Sequence, residues 1–511
     1  LMGRGVVCLS HILWLCLVVC CVWVGPVLCL VQEDEMLEAP NGVTDDRFGS
    51  AVAMDQGDLR VVVGATRAEG HGQVYVYRRH KWSGRHKLET VLSPIDEGGE
   101  RPGPRHFFGA SVDIDGDRIA VGAPGNPDRD IEGDSLGLVY LYKYDGDSWQ
   151  DEAVIRPHFP GAHQQFSRFG HSVSLADGIL VVGTPNGDYY CDSHEAGEAF
   201  VFVYHQEQWM QAQWLMARGG ETADYTRNHY GNSVSLSKDK SLLVIGEFGW
   251  KNSSGRVHLY KWREHGLYFD LLCTIEGYTN NTDDAYGMTV ATANNGVFAV
   301  GAPFATAHAG KVYIYQYEET SAPRPRHMND PYVTYNDSHF TVEPTWLIES
   351  VQQQGFFGAA LSLSEDGCAL AVGSARYSVT GVPSGNTLLY SQISERCNAS
   401  TESVEAFLSG EKDLWEKRAQ YGGKSADDRF GSDVALNGDG TRLAVGARMA
   451  GQPGYYLAEE ERESGGEKGK THLATATTKR TGKVYIFVQP SLPPMSTILL
   501  VFIIGLTILN L

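Results

Sequence analysis

The sequence predicts an all-β protein: a seven-bladed β-propeller of four-stranded blades, with an N-terminal strand closing the last blade. Three observations predict it. An aromatic-Gly pair recurs at Phe48-Gly49, Phe108-Gly109, Phe169-Gly170, Tyr230-Gly231, Tyr286-Gly287, Phe357-Gly358 and Phe430-Gly431. Each pair opens the same pattern: a short apolar run, a polar turn, a Val-Gly-Ala-like strand, a loop, then a Val-Tyr-Val-Tyr-like strand. The spacing of roughly 60 residues holds about four short strands. One such sheet cannot bury both faces alone, so copies must stack, and seven can close a ring.

The first copy justifies each element. Residues 50–54, Ser-Ala-Val-Ala-Met, make a short inner strand. Residues 55–58, Asp-Gln-Gly-Asp, make a turn. Residues 60–65 are β-branched and read as a buried second strand. Residues 73–77 alternate as a half-buried third strand, and residues 87–92, beyond Trp82, supply a fourth. The aromatic of each Phe-Gly pair is expected to wedge between blades, and its Gly to permit close approach or positive φ.

The register implies a closure device. Six outer strands fit between successive pairs, but none fits after Val488, because 489–494 is proline-rich. Residues Glu35-Met-Leu-Glu-Ala39 stand where an outer strand would precede the first pair. They are expected to pair beside 483–488 and remove an open edge.

Outside the propeller, taken as residues 30–489, lie two apolar ends. Arg4 precedes the run 12–24 and then Gly25-Pro26. This reads as a signal peptide over residues 1–29, with an uncleaved signal anchor as the alternative. Residues 490–511 form a hydrophobic C-terminal tail, either a GPI-attachment signal or a short membrane span. Both place the propeller outside the cell or in the lumen of the secretory pathway. Four cysteines follow the leader: Cys191, Cys273, Cys368 and Cys397. Two disulfides are possible, with Cys368–Cys397 favoured because both lie in one repeat. Sequons at Asn252, Asn280, Asn336 and Asn398 suit surface loops of a glycoprotein.

The formal charge of −20 and the lack of a sustained basic stripe exclude nucleic acid as a partner. Acidic insertions at 124–136 and 186–198 are expected on one propeller face, where ligands dock. The insertion 448–482, rich in Glu, Lys, Gly and Thr, reads as disordered. His158 with His163, and His80 with His86, read as surface decoration.

The repeats resemble the FG-GAP family, best known from the N-terminal propeller of integrin α subunits. The full pattern stands at Phe108-Gly109 with Gly122-Ala123-Pro124, and at Tyr286-Gly287 with Gly301-Ala302-Pro303. Elsewhere the second motif varies, as in Gly64-Ala65-Thr66, Gly446-Ala447-Arg448 and Gly246-Glu247-Phe248. The resemblance covers about residues 33–489. It implies a membrane-anchored extracellular binding or adhesion module, taking a protein or glycan ligand on a propeller face. No integrin-like legs separate the repeats from the apolar tail, so signalling through an intracellular tail is not expected.

The resemblance also raises calcium. Integrin blades carry Asp-rich loops between their first two strands, where alternate oxygen ligands hold Ca2+. Asp113, Asp115 and Asp117 around Gly116 are the nearest match, followed by Asn437, Asp439 and Gly440, then Asp55 and Asp58. These turns are short and equally fit Asp-Gly hairpins, so the expectation is no cofactor, or Ca2+ at the first trio. FG-GAP propellers also accompany a zinc-dependent domain in GPI-specific phospholipase D, but the chain has no room for such a domain. It has no His-Glu-x-x-His, Gly-x-Ser-x-Gly or phosphate-loop motif. A non-catalytic role is therefore expected. A secretory-pathway scaffold and a hydrolase remain the alternatives.

Overall fold

The computed structural model describes residues 35–57, 59–95, 106–125, 137–158, 167–187, 196–216, 227–277, 283–319, 333–335, 340–350, 354–376, 384–393, 397, 414–424, 428–460 and 471–489. Seven antiparallel sheets form a ring, each opening at one aromatic-Gly pair. Blade 1 holds Phe48–Met54, Arg60–Ala65, Gln73–Arg79 and His86–Leu92, in that order from the channel outward. The other blades repeat this order. Blade 4 gains a fifth strand, Val333–Tyr335, from the insertion that follows the third strand of blade 5. No described helix is long and apolar enough to cross a membrane.

The ring closes as the register implies. Glu35–Leu37 pairs antiparallel with Lys483–Val488, matching Glu35 to Ile486 and Leu37 to Val484, and so forms the outer strand of blade 7. It also grips blade 1. The Glu35 carboxylate accepts the backbone N–H of His86 at 2.8 Å, and its other oxygen lies 2.8 Å from His86 Nδ1. Glu38 pairs with Lys483 at 2.6 Å, and its carbonyl accepts the Tyr77 hydroxyl at 2.8 Å. His86 is therefore buried, contrary to its expected place on the surface. The closing strand is remote in sequence and covers it.

The core lies between the blades rather than within them. Seven apolar clusters correspond to the seven interfaces. At the interface of blades 1 and 2, Val62, Val74 and Val76 meet Phe108, Ile119, Val121 and Tyr140. Phe108 stands edge-on to Tyr140, with ring centroids 5.3 Å apart, and is fully buried. All seven motif aromatics are buried in the same way. In each complete outer pair a β-bulge falls at the aromatic third strand, as between Val76 and Tyr77 or Leu141 and Tyr142. Each bulge adds local twist, which suits a propeller blade.

Glycine sets the spacing of the blades. The Gly of each Val-Gly-Ala strand faces the Gly of the next blade's Phe-Gly pair. A Cβ on Gly64 would stand 2.1 Å from the carbonyl oxygen of Gly109, and one on Gly122 equally close to that of Gly170. The same contact recurs from Gly183 to Gly231, Gly246 to Gly287, Gly301 to Gly358, Gly373 to Gly431 and Gly446 to Gly49. Next to it, the residue before each pair takes a left-handed conformation: Arg47, Phe107, Arg168, His229, Ala285, Phe356 and Arg429 all have φ between 53° and 60°. Such backbone is uncommon for bulky residues and persists only where packing enforces it.

One expectation is corrected. Residues 448–482 are not disordered throughout. Gly451–Glu460 and Thr471–Arg480 pair as an antiparallel hairpin, in register from Gly451↔Arg480 to Glu460↔Thr471. Low apolar content argued against a packed core there, yet a ladder of backbone hydrogen bonds requires none. The leader, the tail 490–511, most of the acidic insertions, Cys191, Asn280, Asn336 and Asn398 lie outside the described residues.

These contacts predict a steric contrast. Gly64→Ala should destabilise the protein by about 3 kcal/mol, because backbone atoms must move apart. Gly57→Ala, with nothing within 4 Å of the added methyl, should lie within about 0.5 kcal/mol of the parent. Denaturant melts of the two variants check this. Equal stabilities would contradict the close approach.

Candidate functional site

A propeller offers its central channel and two rims for chemistry. The channel here holds a cavity of about 270 Å³ whose surface is mainly polar, with Asp113, Ser235, Lys238, Glu365 and Asp433 standing among valines such as Val52 and Val234. Those polar groups are already engaged. Innermost strands are sheet edges, and their unpaired N–H groups need partners. The preceding blade supplies them. Asp433 Oδ2 accepts from Val52 N at 2.7 Å, and Asp113 Oδ2 from Leu175 N at 2.7 Å. Ser174, Ser235 and Ser362 accept in the same way from Leu236, Thr292 and Leu436.

Two of the three candidate calcium ligands, Asp113 and Asp115, take part in these ties. Asp113 also pairs with Lys238, whose ammonium lies 3.1 Å from Oδ1, 3.1 Å from the Ile114 carbonyl and 2.8 Å from the Leu175 carbonyl. Lys238 thus reaches from blade 4 across blade 3 to blade 2. Asp115 Oδ2 accepts from Asp177 N at 2.7 Å, while Asp117 is exposed beside Arg118. Asp115 pairs with Arg118 across a two-residue turn at Gly116-Asp117. Asp55 and Asp439 cap their own turns, the first accepting Leu59 N and the second Thr441 N. Among the described residues, no three His, Cys, Asp or Glu side chains converge to hold a metal ion.

Two channel carboxyls are held above the usual carboxylate range. Depth within the particle pushes Asp433 up to about 7, against the amide donors of Val52 and Val434 and the charge of Arg448. Its partial exposure to the channel lumen works in the other direction. Burial likewise raises Glu365 in the blade 6 turn, with Asp115 adding to the rise and Lys238 opposing it.

Blade 4 departs from the repeat at Gly246-Glu247-Phe248, and the reason is a buried charge network. Glu247 accepts Arg256 Nε at 2.5 Å and lies 2.6 Å from His258 Nε2, while His258 Nδ1 faces the Thr274 hydroxyl at 3.0 Å. The Arg256 guanidinium stacks 3.5 Å from the Trp250 ring centre. Burial lowers the His258 pKa, with Glu247 opposing. Although it contains a carboxylate and an imidazole, the network is sealed within the core and touches neither cavity.

The rims carry the remaining charge. On the face bearing the loops between second and third strands, Arg47 and Arg429 precede the aromatic-Gly pairs of blades 1 and 7, and Arg67 and Arg448 follow second strands of the same blades. Arg47 pairs with Asp45 at 3.6 Å, and Arg67 pairs with the same carboxylate. Burial lowers the Arg47 pKa, and Arg67 and Arg429 add to the fall. Burial also lowers Arg448, with Arg429 and Arg47 contributing. Four guanidinium groups thus crowd the closing seam. On the opposite face, the outer hairpin of blade 1 borders an open groove of about 760 Å³, lined by Leu59, Arg78, Lys81, Trp82, Lys87 and Leu88 among others.

The remaining sequence candidates are scattered. Cys368 and Cys397 are bonded to each other, and Cys273 is fully buried in the core between blades 4 and 5. Asn252 is exposed on a single helical turn, Trp250–Ser253. Sequence reading missed a repeated clasp. Arg60 forms a two-pronged pair with Glu89 at 2.7 and 3.1 Å, lies 4.3 Å over the Tyr144 ring of blade 2, and shares Glu89 with Trp149 Nε1. Arg118, Glu152 and Tyr204 repeat it at the next interface. The signal was there, since Arg60 and Arg118 stand at the same place in successive copies, opening their second strands.

The FG-GAP repeat profile matches residues 31–77 and 103–142. The first stretch spans the closing strand and three strands of blade 1, and the second spans three strands of blade 2. Two of the seven repeats thus match the FG-GAP profile, and the chain folds as a seven-bladed propeller, consistent with the integrin α-like architecture. Two solved structures align over most of it. A candidate 6-phosphogluconolactonase from Bacteroides uniformis is 12% identical, over 81% of this chain and 95% of that one, with a TM-score of 0.43. Saccharomyces cerevisiae Sqt1 is 10% identical, over 90% of this chain and 99% of that one, with a TM-score of 0.41. Likenesses this distant speak neither for nor against a shared activity.

Two predictions concern the channel. Lys238→Met strips Asp113 and two carbonyls of a shared donor and should cost about 2 kcal/mol in denaturant melts. A variant as stable as the parent would contradict the tie. For Asp433, the folded pKa stands above the unfolded value, so the folded state holds an extra proton between about pH 4 and 7. Its stabilising effect is complete below the unfolded pKa and disappears as pH rises through 7. The melting temperature of the wild type relative to Asp433→Asn should therefore rise between pH 8 and pH 5. A flat or falling difference would refute the assignment.

Proposed function

We propose that the protein is a non-catalytic binding module, held at a membrane by its apolar segment 498–511, with the propeller facing the lumen or the cell exterior. Adhesion is the role this reading favours: the propeller rim would take an acidic group of a protein or glycan ligand. The observation that carries it is the arginine cluster at the seam. Arg47, Arg67, Arg429 and Arg448 gather at the seam in a chain of net charge −20, with Asp45, Asp46 and Asp428 as nearby counter-charges. Crowded like charges of this kind are relieved by an anionic ligand. The channel supports the same reading, since its polar side chains already serve the neighbouring blades.

Surface labelling of intact cells, followed by phosphatidylinositol-specific phospholipase C, tests the placement. The expected result is a labelled protein that partitions with membranes. Release by the lipase identifies a lipid anchor, and retention identifies a membrane span. A protein found only inside the cell, or free in the medium without treatment, would overturn the reading.

A further inference from the structure

We infer that the groove on blade 1 is a second site, independent of the arginine seam, and that it binds an acidic polysaccharide chain, sulfated or rich in uronate. The groove lies where Gln73–Arg79 turns into His86–Leu92. Its wall is Trp82, which is 88% exposed and the most exposed large apolar side chain among the described residues. Leu59 and Leu88 extend the apolar surface, and both stand partly in solvent. Around them come Arg78, Arg79, His80, Lys81 and Lys87, with Glu89 and, from the neighbouring hairpin of blade 2, Asp147 as the acidic members of the lining. Glu89 is committed to Arg60 and Trp149, which leaves Arg78 a more distant hold on it at 3.5 Å.

Nothing in the fold explains this composition. The equivalent hairpin of blade 2 is Tyr144-Asp-Gly-Asp-Ser-Trp149, acidic and short, with Trp149 turned in to the Arg60 clasp. Trp82 instead stands in water. An exposed indole costs hydration free energy that a stacked partner recovers. A pyranose ring offers a flat C–H face to such an indole, and its sulfate or carboxylate groups would meet the surrounding cations. Shape and charge together favour a thin chain over a flat surface. A membrane rich in anionic lipid would face the whole acidic particle and be repelled. A polysaccharide engages only the local basic patch, within a Debye length of about 8 Å.

The test uses the purified full-length protein and a short heparin oligosaccharide, followed by calorimetry at two salt concentrations. Three further probes are its desulfated form, poly-glutamate of matched charge, and phosphatidylserine vesicles. The expected result is saturable, salt-dependent binding of the sulfated oligosaccharide, weaker binding of its desulfated, uronate-bearing form, and no comparable binding of poly-glutamate or the vesicles. Lys81→Glu combined with Lys87→Glu should weaken it at least about tenfold. Trp82→Ala should weaken it about fivefold while leaving the salt dependence unchanged. These side chains are exposed, so melting temperatures should not move. The inference is overturned if the oligosaccharide does not bind or if the variants bind it as the parent does. Equal binding of poly-glutamate would overturn it in favour of an acidic peptide, and preferred binding of vesicles in favour of a membrane. None of these results depends on where the protein resides, so they stand apart from the placement experiment.

Discussion

The structure depends on one steric condition: at every blade interface two backbones meet at a pair of glycines, with no room for a side chain between them. That contact holds neighbouring sheets close enough for the aromatic beside each second glycine to fill the space between them. The apolar clusters then form across interfaces, so no blade owns a core. A ring built this way is only as stable as its weakest junction. The junction between the last blade and the first is therefore covered by Glu35–Leu37, by the Glu35–His86 contact and by the Glu38–Lys483 pair.

A second condition follows from bringing seven sheet edges together around one axis. The innermost strands cannot pair with one another as a sheet, so their amides take side-chain acceptors from the blade before. Serine and aspartate serve this purpose at two places in the repeat, and where aspartate is used its charge must be balanced. Lys238 provides this for Asp113 from two blades away. Asp433 relies on two amides and on Arg448, and its raised pKa measures the shortfall. Asp113 and Asp115, two of the acidic side chains that resembled a metal loop, also serve as ties between blades.

With the channel's polar groups engaged in these ties, the proposed recognition falls to the rims. Two places gather basic side chains, one at the closing seam, where aspartates accompany them, and one beside an exposed tryptophan on the opposite face. Their position on outer loops agrees with a fold whose interior is nearly invariant from blade to blade. Local insertions such as the hairpin after Arg448 and the added strand on blade 4 change the rims without disturbing the glycine contacts.

The sequence by itself determined the number of blades, their strand order and the closing strand, because all three are written in a periodic pattern of glycine, aromatic and β-branched residues. Period and register are local properties, and a single chain displays them. The tertiary structure alone decided what each polar side chain does. Asp113 gains Lys238 as a partner from blade 4, and His86 looks exposed until Glu35 covers it. Glu247 in place of the motif alanine has no meaning until Arg256 and His258 close around it. Charge partners of this kind sit tens or hundreds of residues apart, and only the closed ring brings them within bonding distance.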